Sequence, residues 1–300
     1  MRQAFQRISY ASENLPAILK EAKTRIAKFD PNFVGLRIDN ISVFEKEFQN
    51  LEYNIQDHAP PAFSIPFSLE ELADSMVKSS KELERLLFSD KIFLPHRVTD
   101  EDKGCYTYSS LIVMPHNYHQ PGLIHTDFPN KPSLTLSALA SIYNPLAHNR
   151  SPLTSLNLIP LSNIIAKLSQ DVVDVLSNNQ NFELIDFPEN RPISPISRKN
   201  NSYIINYFSQ EKDERILSII PKNIGAKKAY KILNDVIVDL AESGEFVEIE
   251  QPSYSLTIFS NKTCVHYRSP SLQSDKFPES SISPQLQQRL AVTLQGLHKE

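Results

Sequence analysis

Apolar residues recur at helical spacing at Leu15, Ile18, Leu19, Ala22 and Ile26, and Asp30-Pro31 ends the run, which predicts an amphipathic helix followed by a short strand over 33–38. A second helical stripe joins Leu69, Leu72, Ala73, Met76, Leu83 and Leu86 behind Ser68. With Glu71, Ser68 forms a capping box: its hydroxyl accepts from the Glu71 N–H while the carboxylate reaches back. From Tyr106 the texture changes. Segments 106–114, 134–142, 202–208, 254–260 and 290–297 are rich in β-branched, aromatic and leucine residues between turn formers, and read as strands. Two helices interrupt them, over 161–176 and 227–241, each with one apolar stripe that marks a core face. Segments 146–154, 187–201 and 269–288 are polar and rich in Pro, Asn, Ser or Arg, and read as loops. A polar loop as long as 269–288 inside a compact domain signals function or disorder. With no repeat and no linker, the expectation is one domain over 1–300, with 1–105 as helical and strand decoration and 106–300 as the core. The fold class expected is mainly β with flanking helices, a sandwich or jelly roll rather than a doubly wound sheet.

Composition narrows the function classes. At 40% hydrophobic and 22% charged, the chain resembles an ordinary soluble globular protein that can bury a core without staples. A net charge of −4 gives no electrostatic case for nucleic acid. Two cysteines, Cys105 and Cys264, are too few for a disulfide framework or a cysteine zinc site, and each reads as a buried structural thiol. No segment has the apolar core of a secretory signal or the length of a membrane span, so the expected location is the cytoplasm. The six glycines form no GxGxxG, Walker or GxSxG motif, which argues against nucleotide binding and serine hydrolysis.

Chemistry concentrates at His125-Thr126-Asp127. On a strand or at its end, residues i and i+2 point to one side, so an imidazole nitrogen and a carboxylate oxygen can face one ion. A second histidine would complete two imidazoles and one carboxylate on one face of an octahedron. Three positions stay open, two for a chelating keto acid and one for oxygen. Alone, the triplet also describes a strand-end histidine bonded to a nearby acid. Far along the chain, 254–268 reads as a strand, a turn and His266 followed by Arg268, and Arg289 opens the last apolar segment. A buried guanidinium requires an anion, and the distal carboxylate of 2-oxoglutarate suits its fork.

The order His125-Thr-Asp127, then Ser260-Asn261-x-x-x-Val265-His266-x-Arg268, then Arg289 resembles the taurine dioxygenase/clavaminate synthase-like enzymes over roughly 33–296. Phe33-Val-Gly35-Leu-Arg37 is similar to the family's early G-x-x-x-L strand, and 130–142 to the segment after its first metal motif. The resemblance implies a double-stranded β-helix that binds iron(II) through His125, Asp127 and His266, with Thr154 and Arg289 holding 2-oxoglutarate. It also implies oxidation of a small, amino-acid-like substrate coupled to conversion of 2-oxoglutarate into succinate and carbon dioxide. An acid at 127, where halogenating relatives have a small residue, points to hydroxylation or desaturation. Three departures stand out: Thr293 replaces a second arginine, Tyr267 replaces a glycine, and 269–288 is an apparent insertion. Arg268 is therefore an alternative to Arg289. Two rival readings are a catalytically silent jelly roll that binds a ligand or protein, and a zinc hydrolase using the same triad. His116 and His119 read as loop residues that are solvated or contact substrate. His148, Asn149 and Arg150 read as surface loop, Lys81-Glu82-Glu84-Arg85 as a solvated helix face, and Tyr106 and Tyr108 as core or barrel lining.

Overall fold

A computed structural model describes residues 4–46, 81–95, 110–114, 124–127, 131, 133–143, 155–186, 190–199, 201–208, 217–268 and 289–299. Its strands are β1 (Phe5–Ser9), β2 (Gly35–Asp39), β3 (Phe93–Pro95), β4 (Ser110–Met114), β5 (Leu134–Tyr143), β6 (Leu156–Pro160), β7 (Phe182–Asp186) and β8 (Arg191–Pro192). They continue with β9 (Ile196–Lys199), β10 (Ser202–Ile205), β11 (Leu217–Pro221), β12 (Val247–Ile249), β13 (Ser255–Ser260), β14 (Cys264–Arg268) and β15 (Arg289–His298). The helices are α1 (Leu15–Ala27), α2 (Leu161–Lys167), α3 (Gln170–Ser177) and α4 (Ile224–Glu242), and 42–46 and 81–88 are also helical.

The large sheet runs β1-β2-β13-β5-β15-β3, with β4 also paired to β15. Its central strands alternate strictly, and the two faces differ in chemistry. Leu36, Ile38, Leu136, Ala138, Ala140, Leu256, Ile258 and Leu294 pack under Leu19 and Ile26 of α1 and under Leu83 and Leu87. Thr135, Ser137, Ser141, Ser255 and Thr257 take the intervening positions and are equally buried. Ser141, Ser255 and Thr257 spend their hydroxyls on Gln251 and on the Pro252 carbonyl, as buried polar groups must. Gly35 lets β2 approach β13 closely, because a Cβ there would stand 2.5 Å from the Ile258 carbonyl oxygen. On the helical side, buried Lys23 donates to the carbonyls of Leu86 and Leu87, each at 3.0 Å, and pairs with Asp90 at 2.7 Å. It closes the end of segment 81–88 as a cation at a helix C-terminus should.

A smaller sheet, β12-β6-β14, lays Leu156, Leu158, Ile249 and Cys264 against Val34 and Phe259 of the large sheet. Its outer face, with Ile159, Val265 and Tyr267, is covered by α2, α3 and α4 through Ile164, Val173, Leu176, Leu233 and Ile237. Single bridges extend this sheet from His266 to His125 and from His125 to Phe208. The fold is mainly β with helices outside, and no described helix is long and apolar enough to cross a membrane.

Three expectations are corrected. The helix over 161–176 is two helices, because Leu168 (ψ 141°) and Ser169 (ψ 154°) are extended between them. The loop over 187–201 contains β8 and β9, anchored where Ile193 and Ile196 are buried. Glu82 is not part of a freely solvated face: it accepts from the Tyr10 hydroxyl at 2.5 Å and pairs with Arg85 at 2.7 Å. The capping box at Ser68 and Glu71, the loops over 146–154 and 269–288, and Cys105, Tyr106, Tyr108, His116, His119, His148, Asn149, Arg150 and Thr154 lie outside the described residues.

Candidate metal centre

His125 and His266 form a hydrogen-bonded antiparallel pair: the His125 N–H donates to the His266 carbonyl at 3.0 Å, and the His266 N–H donates back at 2.9 Å. Directly opposed residues in such a pair project to the same face, so two imidazoles are brought side by side by main-chain bonding alone. Their ring centroids lie 4.4 Å apart. Asp127 follows two residues after His125, on the same side. Thr126, between them, points the other way, where its N–H donates to the Tyr207 carbonyl at 2.8 Å and its hydroxyl accepts from the Tyr207 N–H at 3.1 Å.

The result is one cluster. Asp127 Oδ1 stands 3.6 Å from His125 Nε2 and 3.5 Å from His266 Nε2, and one ligand atom of each residue lies within 4.8 Å of the others. A cation with bonds of about 2.1 Å can span two donors up to about 4.2 Å apart, so both histidine–aspartate separations are already within reach. Among the described residues this is the one group of three ligating side chains that could hold a metal ion.

Protonation favours the same use. Burial works against ionising Asp127, yet the field of His266 and hydrogen bonds from both imidazoles outweigh it and hold the carboxyl well below the usual carboxylate range. Burial pushes His266 down, against the pull of Asp127. A carboxylate and neutral imidazoles are the ligand forms a cation needs. The His266 ring is set by packing, with Phe259 edge-on at 5.0 Å, since its buried Nδ1 meets no hydrogen-bond partner among the described residues.

Asn261 locks Asp127 in place. Its Oδ1 accepts from the Asp127 N–H at 2.7 Å, and its Nδ2 donates to the carbonyls of Asp127 at 2.7 Å and Leu134 at 3.1 Å. Asn261 lies in the turn between β13 and β14, so one amide side chain ties the Asp127 segment to the strand that carries His266. On the other side, Ser137 Oγ donates to Asp127 Oδ2.

Next along the turn, Lys262 is fully buried and donates to Asn206 Oδ1 at 2.8 Å. Burial pushes its ammonium from 10.5 down to about 7, against the pull of Asp127 and with a further push from Lys199. Between those values the unfolded chain holds a proton that the folded chain has shed, so stability rises as pH climbs through that window. Lys262→Met is expected to flatten that rise. At neutral pH it should stabilise the apoprotein by about 2 kcal/mol, after the cost of leaving Asn206 Oδ1 unpaired. Urea denaturation across the same pH window checks it; an unchanged slope would show that the ammonium is solvated.

The arginines stand at defined strand positions. Position 268 follows His266 by two on β14, opposite Leu156, and position 289 opens β15 opposite Met114. Buried Arg37 on β2 is already satisfied, donating to the Glu250 carbonyl at 2.7 Å and to Asp39 Oδ2 at 3.0 Å. Ser137 and Lys262 had no place in the sequence reading, and Asn261 entered it only as a motif letter. For Ser137 a signal existed: Thr135, Ser137 and Ser141 fall on one face of an otherwise apolar strand.

This fold is similar to that of non-heme iron oxygenases. The oxygenase OrfP in complex with Fe matches with a TM-score of 0.54 and 14% identity, over 97% of this chain and 87% of that chain. OrfP in complex with Fe and alpha-ketoglutaric acid matches at 0.55 and 14%, over 95% and 83%. An asparagine oxygenase in complex with Fe(II), 2S,3S-3-hydroxyasparagine and succinate matches at 0.53 and 12%, over 97% and 93%. No protein-family model and no curated protein sequence matches the chain.

Proposed function

We propose that this chain is an iron(II)- and 2-oxoglutarate-dependent oxygenase, a hydroxylase or desaturase, built on a double-stranded β-helix (jelly roll) and acting on a small, amino-acid-like substrate. The observation that carries the reading is the antiparallel His125–His266 pair with Asp127 beside it, on a fold shared with enzymes whose structures contain iron and a keto acid. His125, Asp127 and His266 hold the metal. Thr154 with Arg289 or Arg268 anchors the distal carboxylate of 2-oxoglutarate. Iron, when bound, supplies activation of oxygen at the expense of the keto acid. The chain contributes the Asp127 carboxylate, two imidazoles held side by side, a main-chain lock on Asp127, and the aromatic rings of Phe259 and Phe208 packed beside the histidines. The amino-acid preference rests on the substrates of the similar folds, since OrfP is seen with L-Arg and the asparagine oxygenase with a hydroxyasparagine.

Incubation with iron(II), 2-oxoglutarate and a panel of free amino acids tests this. Succinate is expected to form in step with one panel member, and that amino acid should gain one oxygen or lose two hydrogens. Turnover of a substrate with no consumption of 2-oxoglutarate, or with zinc in place of iron, would contradict it.

A further inference from the structure

Asp127 presents two oxygens to different neighbours. Oδ1 faces both histidine nitrogens, at 3.6 and 3.5 Å, while Oδ2 accepts the Ser137 hydroxyl. Ser137 is placed by the sheet rather than by a loop. It is buried at 1% exposure on β5, between Phe259 of β13 and Gln295 of β15. Its neighbours Leu136 and Ala138 point into the helical core, so alternation leaves the Ser137 hydroxyl facing the histidine pair. Asn261 fixes the Asp127 main chain at N–H and C=O. Asp127 is thus restrained at three points, two on its main chain and one on its carboxylate, and Ser137 holds the oxygen turned away from the histidines.

Carboxylates bind cations through one oxygen or through both. Two-oxygen binding by Asp127 would occupy four of six positions with protein atoms and leave two, both of which a chelating keto acid fills. One-oxygen binding leaves a third position open, as an oxygenase requires. We infer that Ser137 is a positioning residue that holds Asp127 as a one-oxygen ligand, so that the metal keeps three open positions. The inference rests on the oxygenase reading above and adds the device that sets its coordination count.

The test compares wild type, Asp127→Ala, Ser137→Ala and Ser137→Thr for binding of Fe(II) and Co(II) by anaerobic calorimetry, with thermal melts to confirm folding. Ser137→Ala is expected to weaken Fe(II) binding by about 10- to 100-fold, the usual loss when a group that orients a ligand is removed. It should also change the ligand-field spectrum of bound Co(II). Ser137→Thr, which keeps the hydroxyl, is expected to restore both. Ser137→Ala that binds like wild type with an unchanged spectrum would overturn the inference, as would equal losses in the alanine and threonine variants. Wild type that binds no better than Asp127→Ala would instead overturn the metal reading itself. A Co(II)-loaded crystal structure of wild type gives an independent check: Oδ1 alone on the metal with Oδ2 on Ser137 is expected, and two carboxylate bonds would overturn it.

Discussion

His266→Ala is expected to lower iron(II) affinity by at least ~100-fold and to abolish 2-oxoglutarate conversion, while leaving the chain folded. The loss exceeds the 10- to 100-fold typical of a group that merely orients a ligand, because a ligand itself disappears. Folding survives because the His125–His266 pairing runs through main-chain groups that alanine retains. The missing ring leaves a small cavity beside Phe259, worth ~1–3 kcal/mol. A ligand present at 100 times its dissociation constant stabilises the native state by about 2.7 kcal/mol, so added iron should raise the melting point of wild type and not that of the variant. Anaerobic thermal melts with and without iron separate the two effects. Equal iron-induced shifts in both proteins would place the metal elsewhere.

Asn261→Ala should have the larger effect on stability. It strips partners from the Asp127 N–H, the Asp127 carbonyl and the Leu134 carbonyl. Each buried polar group left unpaired costs ~1–3 kcal/mol, so a total of about 3–5 kcal/mol is expected. Iron affinity should fall too, since the Asp127 segment loses its tie to the strand of His266. Asn261→Asp keeps an acceptor for the Asp127 N–H but loses both donated bonds and adds a second carboxylate near Asp127, so it should not rescue. Urea denaturation measures the first effect. A loss below about 1 kcal/mol would mean that water replaces the clamp.

Local patterns made some of this visible in advance. The strand period alone indicated that His125 and Asp127 share a side, and the β-branched, aromatic and leucine content of 134–142, 254–260 and 290–297 marked three strands, which the fold places at the centre of the large sheet. His266 was reachable only through the order of motifs, because no local pattern tells which distant strand will pair with residue 125. Strand β6 escaped notice: all five of its residues are buried, which erases alternation, and Pro160 leads straight into α2. The break at Leu168 and Ser169 was hidden by an apolar stripe that continues through Val172 and Val175 on its far side. Asn261 stood in the quoted motif, but its partners are mostly main-chain groups brought close by folding, which residue identities do not reveal. Ser137 read as a tolerated small residue until the carboxylate opposite it was located. Lys262 read as an ordinary turn lysine because nothing in the local sequence announces its burial.

The most direct test is anaerobic addition of iron(II) to the protein with 2-oxoglutarate, followed by visible absorption. A weak charge-transfer band should appear, saturate at one iron per chain, and vanish in Asp127→Ala. No band at saturating iron and keto acid, or an equal band in Asp127→Ala, would contradict the assignment of His125, Asp127 and His266 as an iron site with room for a chelating cosubstrate.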